Sequence, residues 1–399
     1  MNLNWLVPNT FFLTIHGSQA YGLNHATSDL DIKGICIPPA NVRDSLFQGF
    51  DQAENNEGIH ALPVIQPHIN PLNPKVESTV YSLRKFFKLA ADVNPNVIEL
   101  LFVDYSCVLL ERRTSGTRET PAFYPFEYLF RIRNEFLSSK AKFTFTGYAV
   151  NQLNRINRHR KWIINPITTK PTRADFGLPE ERPQAVEGVA REIRKQIELW
   201  NWHQYSLDEQ QRSELKDCCW ELVSLLCNEK VVNWDNWPDE HWKAAILKLQ
   251  AQFNLSEELT AVVAREHEYK KALDMYHSYL RWQADRNPAR RELEVKHGFD
   301  TKHAKHLVRL LRMGLEVLDT GMLTVTRPDA KELNHIGNGG WSYDQLITYA
   351  DEMQAKIDQV YKTTKLPRSV NHEKLNVHYH NIIRAWEDPD RAGEVMEPC

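Results

Sequence analysis

Phe11-Phe-Leu-Thr-Ile-His-Gly-Ser18 is followed, ten residues later, by Asp29-Leu-Asp-Ile-Lys33. This stretch decides the fold. Phe11–His16 is a short apolar run that ends at Gly17, and Leu30–Pro38 (LDIKGICIP) alternates from Asp31 onward, so both predict strands. Residues i and i+2 of a strand face the same way, which sends Asp29 and Asp31 into one space. Close carboxylates repel unless cations neutralise them. Gly17 lets a ligand approach the backbone, and Ser18 with the amides of Gln19 and Ala20 can meet phosphate oxygens at the start of a short helix. Hard oxygen ligands beside a phosphate cradle suit Mg²⁺ or Mn²⁺ with a nucleoside triphosphate.

Such a site is a two-metal phosphoryl-transfer centre in outline. One ion carries the triphosphate, and the other lowers the pKa of an attacking hydroxyl. It needs a third carboxylate, and Glu77 is the choice. Val76–Tyr81 (VESTVY) reads as a strand with Glu77, Thr79 and Tyr81 on one face. Asp44, Asp51, Glu54 and Glu57, in or near loops, are the alternatives.

Moving outward, the segment 83–93 (LRKFFKLAADV) has helical spacing and stops at Asn94-Pro95. Residues 51–74 and 163–184 carry four prolines each; the first predicts an exposed loop, the second a linker or crossing segment. Helical periodicity then runs through 127–160, 185–229, 238–285, 300–319 and 342–362. The expected class is α+β: a small mixed sheet with helices over residues 1–125, then a larger, mostly helical domain over 126–399, with a cleft between them.

The whole chain agrees with a folded protein of this kind. It has 399 residues, against a prior of roughly 150 per domain. Being 42% hydrophobic and 25% charged, it is neither disordered nor of low complexity. No apolar run reaches the ~20 residues of a membrane span. MNLNWLVPNT lacks a basic stretch and a cleavage site, so no secretory signal is expected. The net charge of −3 confines any nucleic-acid surface to a local patch. The six cysteines form no CxxC pair and read as reduced thiols, which places the chain in the cytoplasm. No Walker A or GxGxxG motif occurs, and His267-Glu268 lacks the second histidine of a zinc protease.

Gly-Ser followed by Asp-x-Asp resembles the polymerase-β-type nucleotidyltransferases. Ser82–Phe86 (SLRKF), Asn94–Phe102 (NPNVIELLF), His297–Arg312 (HGFDTKHAKHLVRLLR), Glu316–Gly321 (EVLDTG), Arg327-Pro-Asp329 and Leu366-Pro367 extend the likeness. Together they resemble a predicted nucleotidyltransferase family of bacteria and phages, some of whose members are associated with RNA ligases. The resemblance implies transfer of a nucleoside monophosphate from an NTP to an acceptor hydroxyl. It also implies metal ligation by Asp29, Asp31 and Glu77, and an RNA 3′ end as acceptor. Glu77 stands where the family often carries Asp, and Gly337 where it tends to place a basic residue.

Over 302–318, Leu307, Leu310, Leu311, Gly314 and Leu318 form an apolar stripe, with Lys302, Lys305, Arg309 and Arg312 opposite. Lys302, His306 and Arg309 are the candidates for holding triphosphate; the alternative is a solvated basic face. Residues 140–174 hold eight Lys/Arg and no Asp or Glu, interleaved with Phe143, Phe145, Tyr148 and Trp162. Arg155, Arg158, Arg160 and Lys161 are therefore candidates for single-stranded nucleic acid, against the alternative of core aromatics and one solvated helical face. Other functions left open are nucleotidylation of a protein or small molecule, nucleic-acid binding at a relict site, and metal-dependent phosphohydrolysis.

Overall fold

The computed structural model describes residues 3–47, 49–114, 122–178, 208–227, 257–284 and 288–388, with isolated positions between them. Its contacts group the chain into two units, residues 1–164 with 291–399, and residues 165–290.

The first unit is built on a five-stranded mixed sheet. Its strands are β1 (Thr10–His16), β2 (Leu30–Cys36), β3 (Gln52–Glu54), β4 (Val76–Ser82) and β5 (Val108–Glu111), in the order β3-β4-β2-β1-β5. β2 and β4 run parallel, and every other pair is antiparallel. The expected α+β class is observed. Residues 51–74 are not simply an exposed loop. They contribute β3 along the edge of β4, and Ile59 and Ile65 are fully buried against the sheet. Hydrophobic burial of those two side chains overrides the turn-forming prolines around them.

Alternation along the strands sorts the side chains onto two faces. Leu13, Ile15, Leu30, Ile32 and Val80 pack with Leu6, Ala53, Ile59 and Ile65. Phe12, Ile35 and Tyr81 join the larger core beneath the helices, where the Phe12 ring stacks on Phe126 at 3.7 Å. Helix α1 (Leu83–Ala91) starts at Ser82, whose hydroxyl accepts from the Lys85 amide. It buries Leu83, Phe86, Phe87, Ala90 and Ala91, the stripe its spacing predicts. It is followed by α2 (Pro125–Arg131) and the long α3 (Ala141–Ile164).

In the second unit, α4 (Glu209–Cys227) packs with α5 (Glu257–Ala284). Arg173 makes a paired ion bridge to the buried Glu266, with Nη1 3.0 Å and Nη2 2.5 Å from its oxygens. The expected helical blocks 185–229 and 238–285 lie partly outside the described residues. Cys36, Cys107, Cys218 and Cys219 are free thiols.

Then come α6 (Pro288–His297), α7 (Thr301–Thr320), α8 (Ala330–Gly337), α9 (Tyr343–Thr363) and α10 (His372–Glu387). α7 is capped by Asp300, whose carboxylate accepts from the His303 amide, and it stops at Gly321 in the left-handed conformation. It packs along α3, α8 and α9. A side chain at Gly314 would put its Cβ 2.7 Å from that of Phe145, so glycine lets α7 and α3 approach. Ser342 and Gln345 form a reciprocal cap at the start of α9.

Candidate active site

The β1–β2 and β2–β4 registers place three polar and apolar rows side by side on the helix-covered face. His16, Asp31 and Glu77 form the first row, Thr14, Lys33 and Thr79 the second, and Phe12, Ile35 and Tyr81 the third. The polar end of this face carries the acids. β1 ends at His16, and Gly17 at φ +65° turns the chain into a single helical turn, Gly17–Ala20. A Cβ at Gly17 would fall within 1.9 Å of Asp31 Oδ2. Glycine is therefore required twice here, by the backbone conformation and by the carboxylate against it. Gln19 Nε2 reaches back to donate to the Asp29 carbonyl at 3.2 Å, tying the turn to the start of β2.

Asp31 is pushed up to about 6, first by burial, then by the charges of Asp29 and Glu77; Lys302 and Lys33 oppose the rise. Glu77 is half exposed and forms an ion pair with Lys75. The Lys75 ammonium is raised, first by that bond, and also by the charges of Glu77, Asp29 and Asp31. The structure thus brings Gly17, Asp29, Asp31, Glu77 and Lys302 together. The carboxylates act on one another through space without closing to a tight cluster. Among the described residues, the side-chain trio with donor atoms all within 4.8 Å is His159, Asp300 and His303.

The other acids considered for the third place have different partners. Asp44 pairs with Arg43, Asp51 with Lys85, and Glu54 accepts from Gln52. Glu57 lies in the first turn of a short helix, Glu57–His60.

Behind the acids is a network that sequence reasoning missed. Glu99, 1% exposed, accepts from Arg309 Nη1 at 2.8 Å and from the Tyr21 hydroxyl at 2.5 Å, and His16 Nε2 lies 3.0 Å away. The Arg309 guanidinium also covers the Tyr21 ring at 3.8 Å. Burial alone would raise the Glu99 carboxyl. The Arg309 charge, with bonds from His16 and Tyr21, instead holds it well below the usual range. Burial, helped by the Lys33 charge, lowers His16 to about 4. Burial also lowers Lys33 to about 8, and its ammonium donates to the Asn96 carbonyl at 2.7 Å. Two signals for this network are present in the chain: Lys33 shares the period-2 face of Asp31, and His16 directly precedes Gly17.

Arg309 is a candidate for holding triphosphate, with a solvated basic face as the alternative. It is 4% exposed and committed to Glu99, because α7 is enclosed by protein on several sides. Burial likewise lowers His306 well below the ordinary histidine range. Lys302 is exposed. The basic side chain against Gly337 is Lys305 of α7, 3.1 Å from where a Cβ would stand. On α3, Arg155, Arg158 and Lys161 are exposed, with Arg158 5.7 Å over the Trp162 ring. Arg160 is turned to protein: it donates to the Gly298 carbonyl at 3.1 Å and lies over Tyr343.

Residues 7–161 match the profile of the RNA repair pathway DNA polymerase beta family. An uncharacterised 38.9 kDa protein from the nrdC–mobD intergenic region of Enterobacteria phage T4 is 20% identical over 381 residues, covering 93% of each chain. No solved structure matches. The match over residues 7–161 supports a polymerase-β-type nucleotidyltransferase family for this part of the chain.

Proposed function

We propose that the protein moves a nucleoside monophosphate from an NTP to an acceptor hydroxyl, with an RNA 3′ end as the acceptor. The observation that carries this reading is the register of Asp31 with Glu77 beside the Gly17 turn. The residues present fit a pair of divalent cations. Asp29, Asp31 and Glu77 offer only hard oxygens, and Asp31 is raised first by burial and then by the charges of Asp29 and Glu77. Bound Mg²⁺ or Mn²⁺ would supply charge neutralisation and an acidified acceptor hydroxyl.

The chain's own groups supply the rest. Asp29 and Asp31 hold the cations, and Glu77 completes the set on the acceptor side. Gly17 keeps the space above Asp31 open. The first amides of its turn, at Ser18 and Gln19, receive triphosphate oxygens, since the leading amides of a helix have no partner within it. Lys302 is the cation placed to meet the triphosphate. His306 and Arg309, the other candidates for that role, stand behind it; Arg309 fixes Glu99, which holds His16 and Tyr21 on either side of the turn. Arg155, Arg158 and Lys161 receive the RNA backbone, with Arg160 supporting the helix that carries them. The description of the matched family, which names RNA repair, supports the choice of acceptor.

The test is incubation of the parent and of Asp29→Ala/Asp31→Ala with labelled NTPs and total RNA in Mg²⁺ or Mn²⁺. The expected result is label at RNA 3′ ends with pyrophosphate release, lost in the double variant. Label on protein or a small molecule would move the acceptor. Incorporation that survives the double change would overturn the metal assignment.

A further inference from the structure

We infer that the protein carries a second, separate metal site: a single zinc ion held by His159, Asp300 and His303. His159 belongs to α3, and Asp300 and His303 to the start of α7. The Asp300 carboxylate is 1% exposed, and its two oxygens have different duties. Oδ1 caps α7 by accepting from the His303 amide at 3.0 Å. Oδ2 faces two imidazoles, 3.2 Å from His159 Nδ1 and 3.5 Å from His303 Nε2. One donor atom from each residue lies within 4.8 Å of the other two. Tetrahedral zinc with bonds of about 2.0–2.2 Å separates its ligands by about 3.3–3.6 Å, close to both of these spacings.

The tautomer of His303 argues the same way. Its Nδ1 lies 2.7 Å from the Gln152 amide oxygen, which can only accept, so Nδ1 carries the proton. In the neutral ring, Nε2 then presents a lone pair to a carboxylate oxygen. Those atoms come together only around a positive charge, either a proton or a metal ion. An imidazole that donates its far nitrogen to a carbonyl oxygen is the usual arrangement of a metal-bound histidine. The third donor, His159 Nδ1, makes a metal the better occupant; on binding, that ring carries its proton on Nε2 instead. The Trp162 ring stacks on His159 at 5.6 Å and covers one side of the site. Two neutral imidazoles and one carboxylate suit zinc, and the remaining position takes water. The ion would pin α3 to the first turn of α7, the turn that bears Lys302.

The test uses the full chain, stripped with chelator and titrated with Zn²⁺, then with Co²⁺ as a spectroscopic probe. The expected result is one zinc per chain and the visible bands of tetrahedral Co²⁺. His159→Ala should abolish both, and His159→Cys should keep the ion while adding a thiolate-to-Co²⁺ band. Gln152→Leu should weaken zinc binding about 10- to 100-fold, the usual effect of losing an outer partner. Asp29→Asn/Asp31→Asn should leave zinc binding unchanged, which separates this site from the proposed Mg²⁺ site. If the parent binds no zinc, or if its zinc and Co²⁺ bands survive His159→Ala, the cluster is a proton-linked histidine–aspartate group and the proposal fails. Should His159→Ala not fold, the parent titration and Gln152→Leu decide the same question.

Discussion

Asp31 and Glu77 are direct cross-strand partners in the parallel pairing of β2 with β4. Side chains paired in this way share a face, so two acids distant in sequence become neighbours through one register. A one-residue slip would turn Glu77 to the buried face of Ser78 and Val80. The register is secured further along by Ile35 opposite Tyr81 and Gly34 opposite Val80.

Charge removal at this pair should abolish turnover without unfolding the protein. Asp31→Asn and Glu77→Gln should each reduce nucleotidyl transfer by more than the roughly 10- to 100-fold typical of an outer-shell partner. Glu77→Asp, which keeps the carboxylate, should retain activity. Single-turnover rates with labelled NTP at saturating Mg²⁺ measure this.

The raised Asp31 carboxyl makes the metal-free protein pay for its site. Asp31 titrates near 3.8 when unperturbed and about 6 in the fold. Between those values the folded state holds the extra proton, so stability from this group falls as pH rises and is lowest above about 6. Asp31→Asn should therefore have a higher Tm than the parent at pH 8 in chelator, with the gap closing as pH drops below 6. Mg²⁺ should raise the Tm of the parent more than that of the variant. Differential scanning calorimetry across pH checks the sign.

Gly17→Ala introduces a Cβ at positive φ and against Asp31 Oδ2. It should destabilise the protein by at least ~1 kcal/mol and lower transfer activity. Gly22 also has positive φ, but a Cβ there would meet only the Ala330 Cβ at 4.0 Å. Gly22→Ala should therefore share the backbone penalty while leaving activity largely intact. Urea unfolding and activity assays on both variants separate strain from function.

The buried ion pair behind the site should be intolerant of half-removal. Glu99→Ala leaves Arg309 buried and uncompensated, and should cost about 3–5 kcal/mol. The double change Glu99→Leu/Arg309→Met should recover much of that loss. A double-mutant cycle by chemical denaturation reads the coupling.

For the acceptor surface, Arg155→Ala, Arg158→Ala and Lys161→Ala combined should weaken single-stranded RNA binding. They should also reduce the slope of log K against log salt by up to about 2, at ~0.7 per phosphate contact. Arg160→Ala should act mainly on stability, because that side chain holds the Gly298 carbonyl.

Much of this arrangement is legible in the chain because it depends on local periodicity. β1 reads as a short apolar run ending at the glycine turn, β2 and β4 carry alternation, and the spacing of α1 and α9 matches their buried stripes. β3 and β5 are not legible. One is three residues long within a proline-rich stretch, and the other is a half-buried edge strand without alternation. The pairing of Glu99 with Arg309 spans 210 residues, a distance no local pattern encodes. Arg309 reads as a surface cation on a helical wheel because the wheel assumes one buried face, whereas α7 is packed by α3, α8 and α9.

The most direct test is a crystal of the full chain grown with Mn²⁺ and a non-hydrolysable NTP analogue, analysed by anomalous scattering. The account predicts manganese peaks between the carboxylates of Asp29, Asp31 and Glu77, with the triphosphate over the Gly17–Ser18 turn. Manganese and nucleotide bound elsewhere, with Glu77 still closed on Lys75, would contradict it.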